Sequence, residues 1–263
     1  MENTSAINQA DVVKKQYQSS ANLSTRISIH DKYSTNKMGF GNWIFSNYEI
    51  RPGSKVLELG CGTGSMWSGK DDFVEKCGRL VLSDFSEGML DTARSNLSQY
   101  GKIDYQVIDI QDIPFEEDSF DVVIANMMLY HVPDLRKGLG EVRRVLKEDG
   151  TFYCATFGEH GIIEYLSQIL GEYGVVDNTN KNFTLQNGLE HLKAFFGKME
   201  RREYKDSLAV TNIDDLVGYI FSLSAMTTLS QMHKEDIRDA LTKEMVNGIL
   251  RVPKEYGMFI CRK

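Results

Sequence analysis

The sequence predicts an α/β fold built on a mostly parallel β-sheet, and three observations carry that prediction. From about Lys55 to Phe157, short apolar runs alternate with turns rich in Gly, Ser or Asp and then with stretches at helical spacing, which is the pattern of βαβ units. The run Phe120-Asp121-Val122-Val123-Ile124-Ala125 is nearly continuous in apolar residues, as strands buried on both faces are. The chain has 263 residues. At about 150 residues per domain this accommodates one large sheet domain carrying an appendage.

The elements follow in order. Lys55-Val56-Leu57-Glu58-Leu59 is the first strand, followed by glycines at 60, 62 and 64 and an expected helix to about Cys77. Leu80 to Asp84 is the second strand. Ser86 then stands as an N-cap before a helix with Met89, Leu90, Ala93 and Leu97 on one face, and Glu87 favours its positive end. Ile103, Tyr105 and Val107 alternate with polar neighbours into Asp109 and give the third strand, with the Phe120 run as the fourth. Leu135, Leu139, Val142 and Leu146 recur at helical spacing until Asp149-Gly150, and Thr151 to Phe157 is the fifth strand. Helical segments near 162–173 and 185–196 form a cap inserted at about 158–198. A sixth strand is expected over 200–210, helices over 213–223 and 237–246, and a short final strand over 257–261. Residues 1–50, polar with scattered aromatics such as Tyr33, Phe40 and Trp43, read as a partly helical arm over a domain spanning 51–263.

Thirty basic residues against thirty-seven acidic ones give a net charge of −7, with 41% hydrophobic and 25% charged residues. This is the profile of a folded chain, and the negative balance weighs against a protein that binds chiefly by neutralising phosphates. Cys61, Cys77, Cys154 and Cys261 are too widely separated for a CxxC zinc or redox pair, so no metal centre is expected and the thiols point to a reduced, cytoplasmic setting. The polar N-terminus lacks the apolar core of a signal peptide, and no apolar run is long enough to span a membrane.

The informative stretch is Val56-Leu57-Glu58-Leu59-Gly60-Cys61-Gly62-Thr63-Gly64. Glycines directly after a strand let the backbone turn sharply and admit a ligand where a Cβ would stand, so a nucleotide-like ligand is expected at the carboxyl end of the first strand. Asp84 and Asp109 then stand at the ends of the next two strands, where carboxylates can accept hydrogen bonds from a ribose diol and from a base. Taken singly, each of these aspartates is as readily explained as a cap on the following turn.

Five segments in this order are ELGCGTG at 58–64, LSDFSEGMLDTAR at 82–94, DIQDIPFEEDSFDVV at 109–123, NMMLYHVPD at 126–134 and LKEDG at 146–150. Together they make the region from about Lys55 to Phe157 resemble the class I S-adenosylmethionine-dependent methyltransferases, in the type 11 branch near the ubiquinone/menaquinone methyltransferases. The resemblance implies a Rossmann-like, seven-stranded, mostly parallel sheet flanked by helices, with the last strand antiparallel. It also implies S-adenosyl-L-methionine as cofactor. Gly60, Cys61, Gly62 and Gly64 would line the methionine half, with Glu58 facing the amino group. Asp84 would hold the ribose hydroxyls, Phe85 and Met89 would pack near the adenine, and Asp109 with the backbone of Ile110 would meet its edge. Asn126 would lie near the methyl donor. Tyr33 is a candidate for a lid in the arm.

Because the methyl group of that cofactor is already activated on a positively charged sulfur, the implied reaction is a direct in-line displacement with neither metal nor covalent intermediate. A general base is needed only for an acceptor that must be deprotonated. His131 is the histidine that the motif puts on the cofactor-side loop, with Tyr130 beside it; a half-buried histidine bonded to backbone explains His131 equally well.

Two departures narrow the acceptor. Asn126-Met127-Met128-Leu129 replaces the Asp- or Asn-Pro-Pro-aromatic motif of enzymes that methylate exocyclic amines of bases, and no proline precedes a cysteine. A small-molecule acceptor is therefore expected, with RNA as the second choice. A nicotinamide-dependent oxidoreductase is the competing class, although Ser65 stands where its third glycine belongs. A non-catalytic cofactor-binding partner is the third. Oligomeric state stays unassigned.

Overall fold

The computed structural model describes residues 21–173, 175–223 and 232–263. Seven strands form one sheet: β1 Ser54–Leu59, β2 Cys77–Asp84, β3 Ile103–Val107, β4 Phe120–Asn126, β5 Leu146–Phe157, β6 Lys198–Val210 and β7 Leu250–Arg262. Their spatial order is β3-β2-β1-β4-β5-β7-β6. β1 to β5 pair in parallel, whereas β7 runs antiparallel to both β5 and β6. The expected sheet is therefore the observed one. The order reverses between β1 and β4, and in open α/β sheets the crevice outside the carboxyl ends of the strands at such a point is where ligands bind.

Helices α1 Ala21–Tyr33 and α2 Phe40–Ser46 precede β1, and α3 Asp71–Lys76, α4 Glu87–Asn96 and α5 Leu135–Val145 connect the first five strands. α6 Ile162–Ile169 and α7 Gly188–Leu192 lie between β5 and β6, and α8 Ile213–Ser222 and α9 Lys234–Lys243 between β6 and β7. Alternate residues of the central strands feed opposite faces. Leu57, Leu59 and Val123 pack with Leu139 and Val142 of α5 on one face, whereas Val56, Leu80 and Ile124 pack with Phe45, Trp67 and Leu97 on the other. A third cluster joins Ile29, Leu166, Leu216 and Leu241 to Leu208 and Val252, at the ends of β6 and β7. Among the described residues, no helix is long and apolar enough to cross a membrane.

Three elements depart from the expected boundaries. The helix after the glycine loop is the short α3, because Gly69 takes a positive φ of 68° and Ser68 is extended between it and a single 3-10 turn over Ser65–Trp67. α5 stops at Val145 and β5 begins at once, with the segment 146–150 taken up as an irregularity between the pairs Phe120–Leu146 and Val122–Thr151. A Cβ on Gly150 would lie 2.7 Å from the Leu146 side chain, so the tight return needs glycine there.

The final strand runs to thirteen residues and pairs with β6 along its whole length. Its first part is masked in the sequence by Arg251, Pro253, Lys254 and Glu255. Pro253 is tolerated because β5 pairs with β7 only from Tyr256 onward, which leaves its nitrogen side without a ladder partner there. Lys254 is buried because Asp206, its register partner on β6, forms an ion pair with it, and the two side chains are 2% and 0% exposed. Removing one member of such a pair strands a buried charge, at a cost of about 3–5 kcal/mol. Asp206→Ala is therefore expected to lower urea-unfolding stability by about 3 kcal/mol. Asp206→Leu combined with Lys254→Met should recover part of the loss, and a single variant as stable as the parent would contradict the account.

Candidate active site

The site is built at the carboxyl ends of β1, β2 and β4. Gly60, Gly62 and Gly64 all have positive φ, each for a separate reason. A Cβ at Gly60 would lie 2.8 Å from the Met128 side chain, and one at Gly64 would lie 2.8 Å from Leu97 and 3.1 Å from Ala93 on or just after α4. Gly62 has open space where its Cβ would be. The first and third glycines thus fit the loop onto its neighbours, and the middle one leaves room.

Asp84 holds this loop. Its Oδ2 accepts from Gly62 N at 2.9 Å and its Oδ1 from Ser86 N at 2.9 Å. Ser86 is the N-cap residue of α4 as expected, but its hydroxyl makes no capping bond. Asp109 lies two residues beyond the end of β3 and accepts from Gln111 N at 2.8 Å, an Asx turn, with the Gln111 amide group also on its carboxylate. Both aspartates therefore perform the capping task, and both also line the cavity described below.

Glu58 is the buried carboxylate of the site, 3% exposed. Trp67 Nε1 donates to its Oε2 at 2.5 Å, and Asn126 Nδ2 lies 3.4 Å from its Oε1. The same Asn126 amide donates to Tyr48 Oη at 2.7 Å, and its Oδ1 is buried with no hydrogen-bond partner among the described residues. Burial, with a smaller contribution from the Asp84 charge, raises the Glu58 carboxyl to about 7 against the two hydrogen bonds that lower it. Burial likewise pushes the Cys61 thiol up, which leaves it an unreactive member of the loop.

One cavity of about 750 Å³ runs past these groups. Among the residues expected at the site, Glu58, Gly60, Cys61, Gly62, Asp84, Phe85, Met89, Asp109, Ile110, Asn126, Tyr130 and His131 line it. Gly64 does not, since it faces α4. Tyr33 does not either: its hydroxyl donates to Asp215 on α8 at 2.6 Å, so the arm meets the cavity through Arg26, Ile27, His30 and Phe40 instead. The His131 imidazole is lowered to about 4 by burial, with the nearby Arg26 charge acting in the same direction. It is therefore neutral at physiological pH and lies well below the pKa that makes a base most effective there.

A family model described as a methyltransferase domain matches residues 57–154. Residues 57–154 are thus similar in sequence to a methyltransferase domain. It is 34% identical over 154 residues to a demethylmenaquinone methyltransferase of Clavibacter sepedonicus, an alignment covering 56% of this chain and 61% of that protein. It is 32% identical to a ubiquinone/menaquinone biosynthesis C-methyltransferase of Vibrio parahaemolyticus, over 47% of this chain and 48% of that one. The chain thus spans about half to three fifths of the length of the curated relatives it matches. The solved structure of the cyclase SpnF covers 97% of this chain and 97% of its own with a TM-score of 0.62, and at 14% identity that likeness is one of fold.

The matched region, 57–154, contains every expected site residue except Tyr33. The remaining cavity wall comes from outside it: His30 and Phe40 in the arm, Ile162 on α6, Tyr219 on α8, and Lys254 and Tyr256 on β7. Sequence reasoning missed these because no local motif surrounds them. Their only signal is their being aromatic or charged in segments that otherwise pattern as helix or strand.

A raised Glu58 has a definite pH signature. Its folded value of about 7 exceeds the ordinary 4.5, so the group favours the folded state below the lower value and loses that contribution as pH rises to the upper one. Glu58→Gln should therefore gain stability relative to the parent between about pH 5 and pH 8. In a Trp43→Phe background, Trp67 fluorescence should titrate with a midpoint near 7 and lose that transition in Glu58→Gln. A flat profile in the parent would refute the coupling.

Proposed function

We propose that this chain is an S-adenosylmethionine-dependent methyltransferase that moves a methyl group by direct in-line displacement to a small, largely apolar acceptor. The observation that carries the reading is the cavity of about 750 Å³, which joins the glycine loop and two strand-end aspartates to a wall of aromatic and aliphatic side chains from the arm, the inserted helices and β7. The methyltransferase domain supports the activity, and the small-molecule acceptors in the names of its relatives support the acceptor class.

The residues present fit the cofactor. The open space at Gly62 admits a ligand against the backbone, and the buried unpartnered Oδ1 of Asn126 is an acceptor awaiting a donor. The oxygens of Asp84 each hold one backbone N–H and keep lone pairs for a ribose diol. Asp109 and the Ile110 backbone would meet the adenine, Phe85 and Met89 would pack beside it, and Glu58 would face the amino group. When bound, the cofactor supplies a methyl group already activated on a positively charged sulfur. The protein's part is to orient the acceptor and exclude water, which the enclosing aromatic wall supports.

Tyr130 and His131 sit on the loop after β4, the Tyr130 ring 4.5 Å from the His131 ring and 4.8 Å from that of Phe157. With His131 held neutral by burial, we assign the pair to shaping and hydrogen bonding at the acceptor end rather than to strong base catalysis. An acceptor that is already nucleophilic fits that assignment best. A net charge of −7 and the aromatic and aliphatic wall of the cavity put RNA behind small molecules. The four free cysteines agree with a reduced, cytoplasmic setting.

Calorimetry with S-adenosylmethionine and S-adenosylhomocysteine tests the reading directly, and binding of neither at high micromolar concentration would sink it. Asp84→Ala and Asp109→Ala should each weaken S-adenosylhomocysteine by at least about tenfold, the worth of a lost charge-assisted hydrogen bond. If Asp84→Ala removed NAD binding and spared S-adenosylhomocysteine, the oxidoreductase class would take its place. Supplying cofactor with a labelled methyl to metabolite and RNA pools separates a transferase from a non-catalytic binder.

A further inference from the structure

Three cationic side chains line the cavity among the described residues: Arg26 on α1, Lys181 between α6 and α7, and Lys254 on β7. Two of them are matched by carboxylates. Lys254 pairs with Asp206, and Lys181 with Asp177 at 3.0 Å. Glu159 and Glu164 add their charges at Lys181, and Asp31 adds its own at Lys254. Arg26, by contrast, forms no ion pair among the described residues.

The Arg26 guanidinium is anchored on a carbonyl instead. Nε and Nη2 both donate to Ser222 O, at 3.0 and 2.6 Å, and Ser222 is the last residue of α8. A basic side chain on the closing carbonyls of a helix is a common cap, and here that task occupies the side-on pair of N–H groups. It leaves the end-on edge, where Nη1 and Nη2 can meet a carboxylate through two parallel bonds. Nη1 makes no hydrogen bond among the described residues, and the side chain is half-buried rather than sealed inside the fold.

The neighbours of the guanidinium locate its charge. Tyr219 and Leu223, on either side of the Ser222 anchor, line the cavity, as does His131 on the loop after β4. Burial is the larger influence on both titrating neighbours, lowering His131 and raising Tyr219, and the Arg26 charge pulls downward on each. It makes no such contribution at Glu58, Cys61 or Asp84, the groups about the glycine loop. The unmatched cation therefore stands at the acceptor end of the cavity. Its complement there is an anion carried on an apolar body. A single fork with no second unmatched cation beside it suits the one charge of a carboxylate better than the two of a phosphate.

We propose that Arg26 is a specificity residue that binds a carboxylate on the methyl acceptor, a step that rests on the methyltransferase reading and adds the acceptor's charge to it. Recognition of the acceptor thereby falls to a residue of the arm with no motif around it. Arg26 holds the acceptor in place and exchanges no proton with it.

Hexanoate and hexanamide, which share one chain and differ in charge, separate this role from simple capping of α8. The full-length protein, saturated with S-adenosylhomocysteine at low salt, is titrated with each while the arginine Nε–H signals are followed by NMR. Loss of one signal in Arg26→Lys identifies that of Arg26. Hexanoate should bind at least about tenfold more tightly than hexanamide, as a charge-assisted hydrogen bond provides, and should move the Arg26 signal while hexanamide does not. In Arg26→Gln the preference should vanish with the affinity for S-adenosylhomocysteine kept within about twofold, and Arg26→Lys, which retains the charge without the fork, should keep part of it. Should Arg26→Gln fail to fold, Arg26→Lys and the parent signal give the comparison. Equal affinities for the two probes in the parent, a still Arg26 signal, no hexanoate binding at tens of millimolar, or an undiminished preference in Arg26→Gln would each overturn the assignment. So would a large loss of S-adenosylhomocysteine affinity in Arg26→Gln, which would put the guanidinium on the cofactor's own carboxylate. Failure of S-adenosylhomocysteine to bind the parent is a different result: it removes the methyltransferase reading itself, and the role of Arg26 falls with it.

Discussion

The site depends on one buried carboxylate, Glu58, held at the end of β1 against the cost of its own desolvation. Taking a carboxylate out of water favours its protonated form, and the hydrogen bonds from Trp67 and Asn126 offset only part of that. Much of the surrounding structure follows from satisfying it. Trp67 reaches Glu58 only because the chain after the glycines folds into a 3-10 turn instead of a helix, which buries the indole at 1% exposure. Asn126 brings the end of β4 to the same point and links it through Tyr48 to the segment before β1. A carboxyl poised near neutrality in this position responds to a neighbouring cation by ionising.

The part of the fold written in local periodicity was legible, and the part written in tertiary partners was not. β1, β2 and β4 announce themselves because a strand buried on both faces must be apolar throughout. α4 and α5 are legible from their single apolar faces, Met89-Leu90-Ala93 and Leu135-Leu139-Val142. The first half of β7 was hidden because Lys254 is buried there through Asp206, forty-eight positions away in sequence, which no window of neighbouring residues reveals. The α3 boundary was missed for a similar reason. The segment 65–70 carries no strong helix breaker other than Gly69, whose positive φ, with Ser68 extended before it, leaves a 3-10 turn in which Trp67 bonds Glu58 nine positions back.

The same division runs through the site. Apart from Tyr33, the residues expected to meet the cofactor lie within 58–131, at a strand end or in the loop and first helical turn after it, so spacing along the chain maps onto position along the sheet edge. The opposite wall is assembled from the arm, α6, α8 and β7, segments spread over more than two hundred positions and brought together only by the completed sheet. Tyr33 and His30 illustrate the consequence. Both are on α1 and both are polar aromatics, yet three residues of helix turn one toward Asp215 and the other toward the cavity. Sequence alone had no basis for choosing between them, because the choice is set by how α1 rotates against α8.

That rotation is itself constrained unequally along the arm. Residues 34–36 are fastened to β6: Ser34 Oγ and Asn36 N donate to Asp206, Thr35 N donates to Ser207 O, and Lys254 completes the buried cluster. The polar contacts of α1 with α8 are lighter, Lys32 and Tyr33 on the half-exposed Asp215 and the Arg26 guanidinium on the Ser222 carbonyl, beside the buried packing of Ile29. Exposed ion pairs contribute little, whereas parting a buried, fully bonded pair is strongly unfavourable. Any movement that opened the cavity beneath α1 would therefore break the contacts with α8 first and pivot on the N-terminal side of Ser34. Such a movement would carry Arg26, Ile27 and His30 away from the cavity while leaving Phe40 and the loops at the strand ends in place.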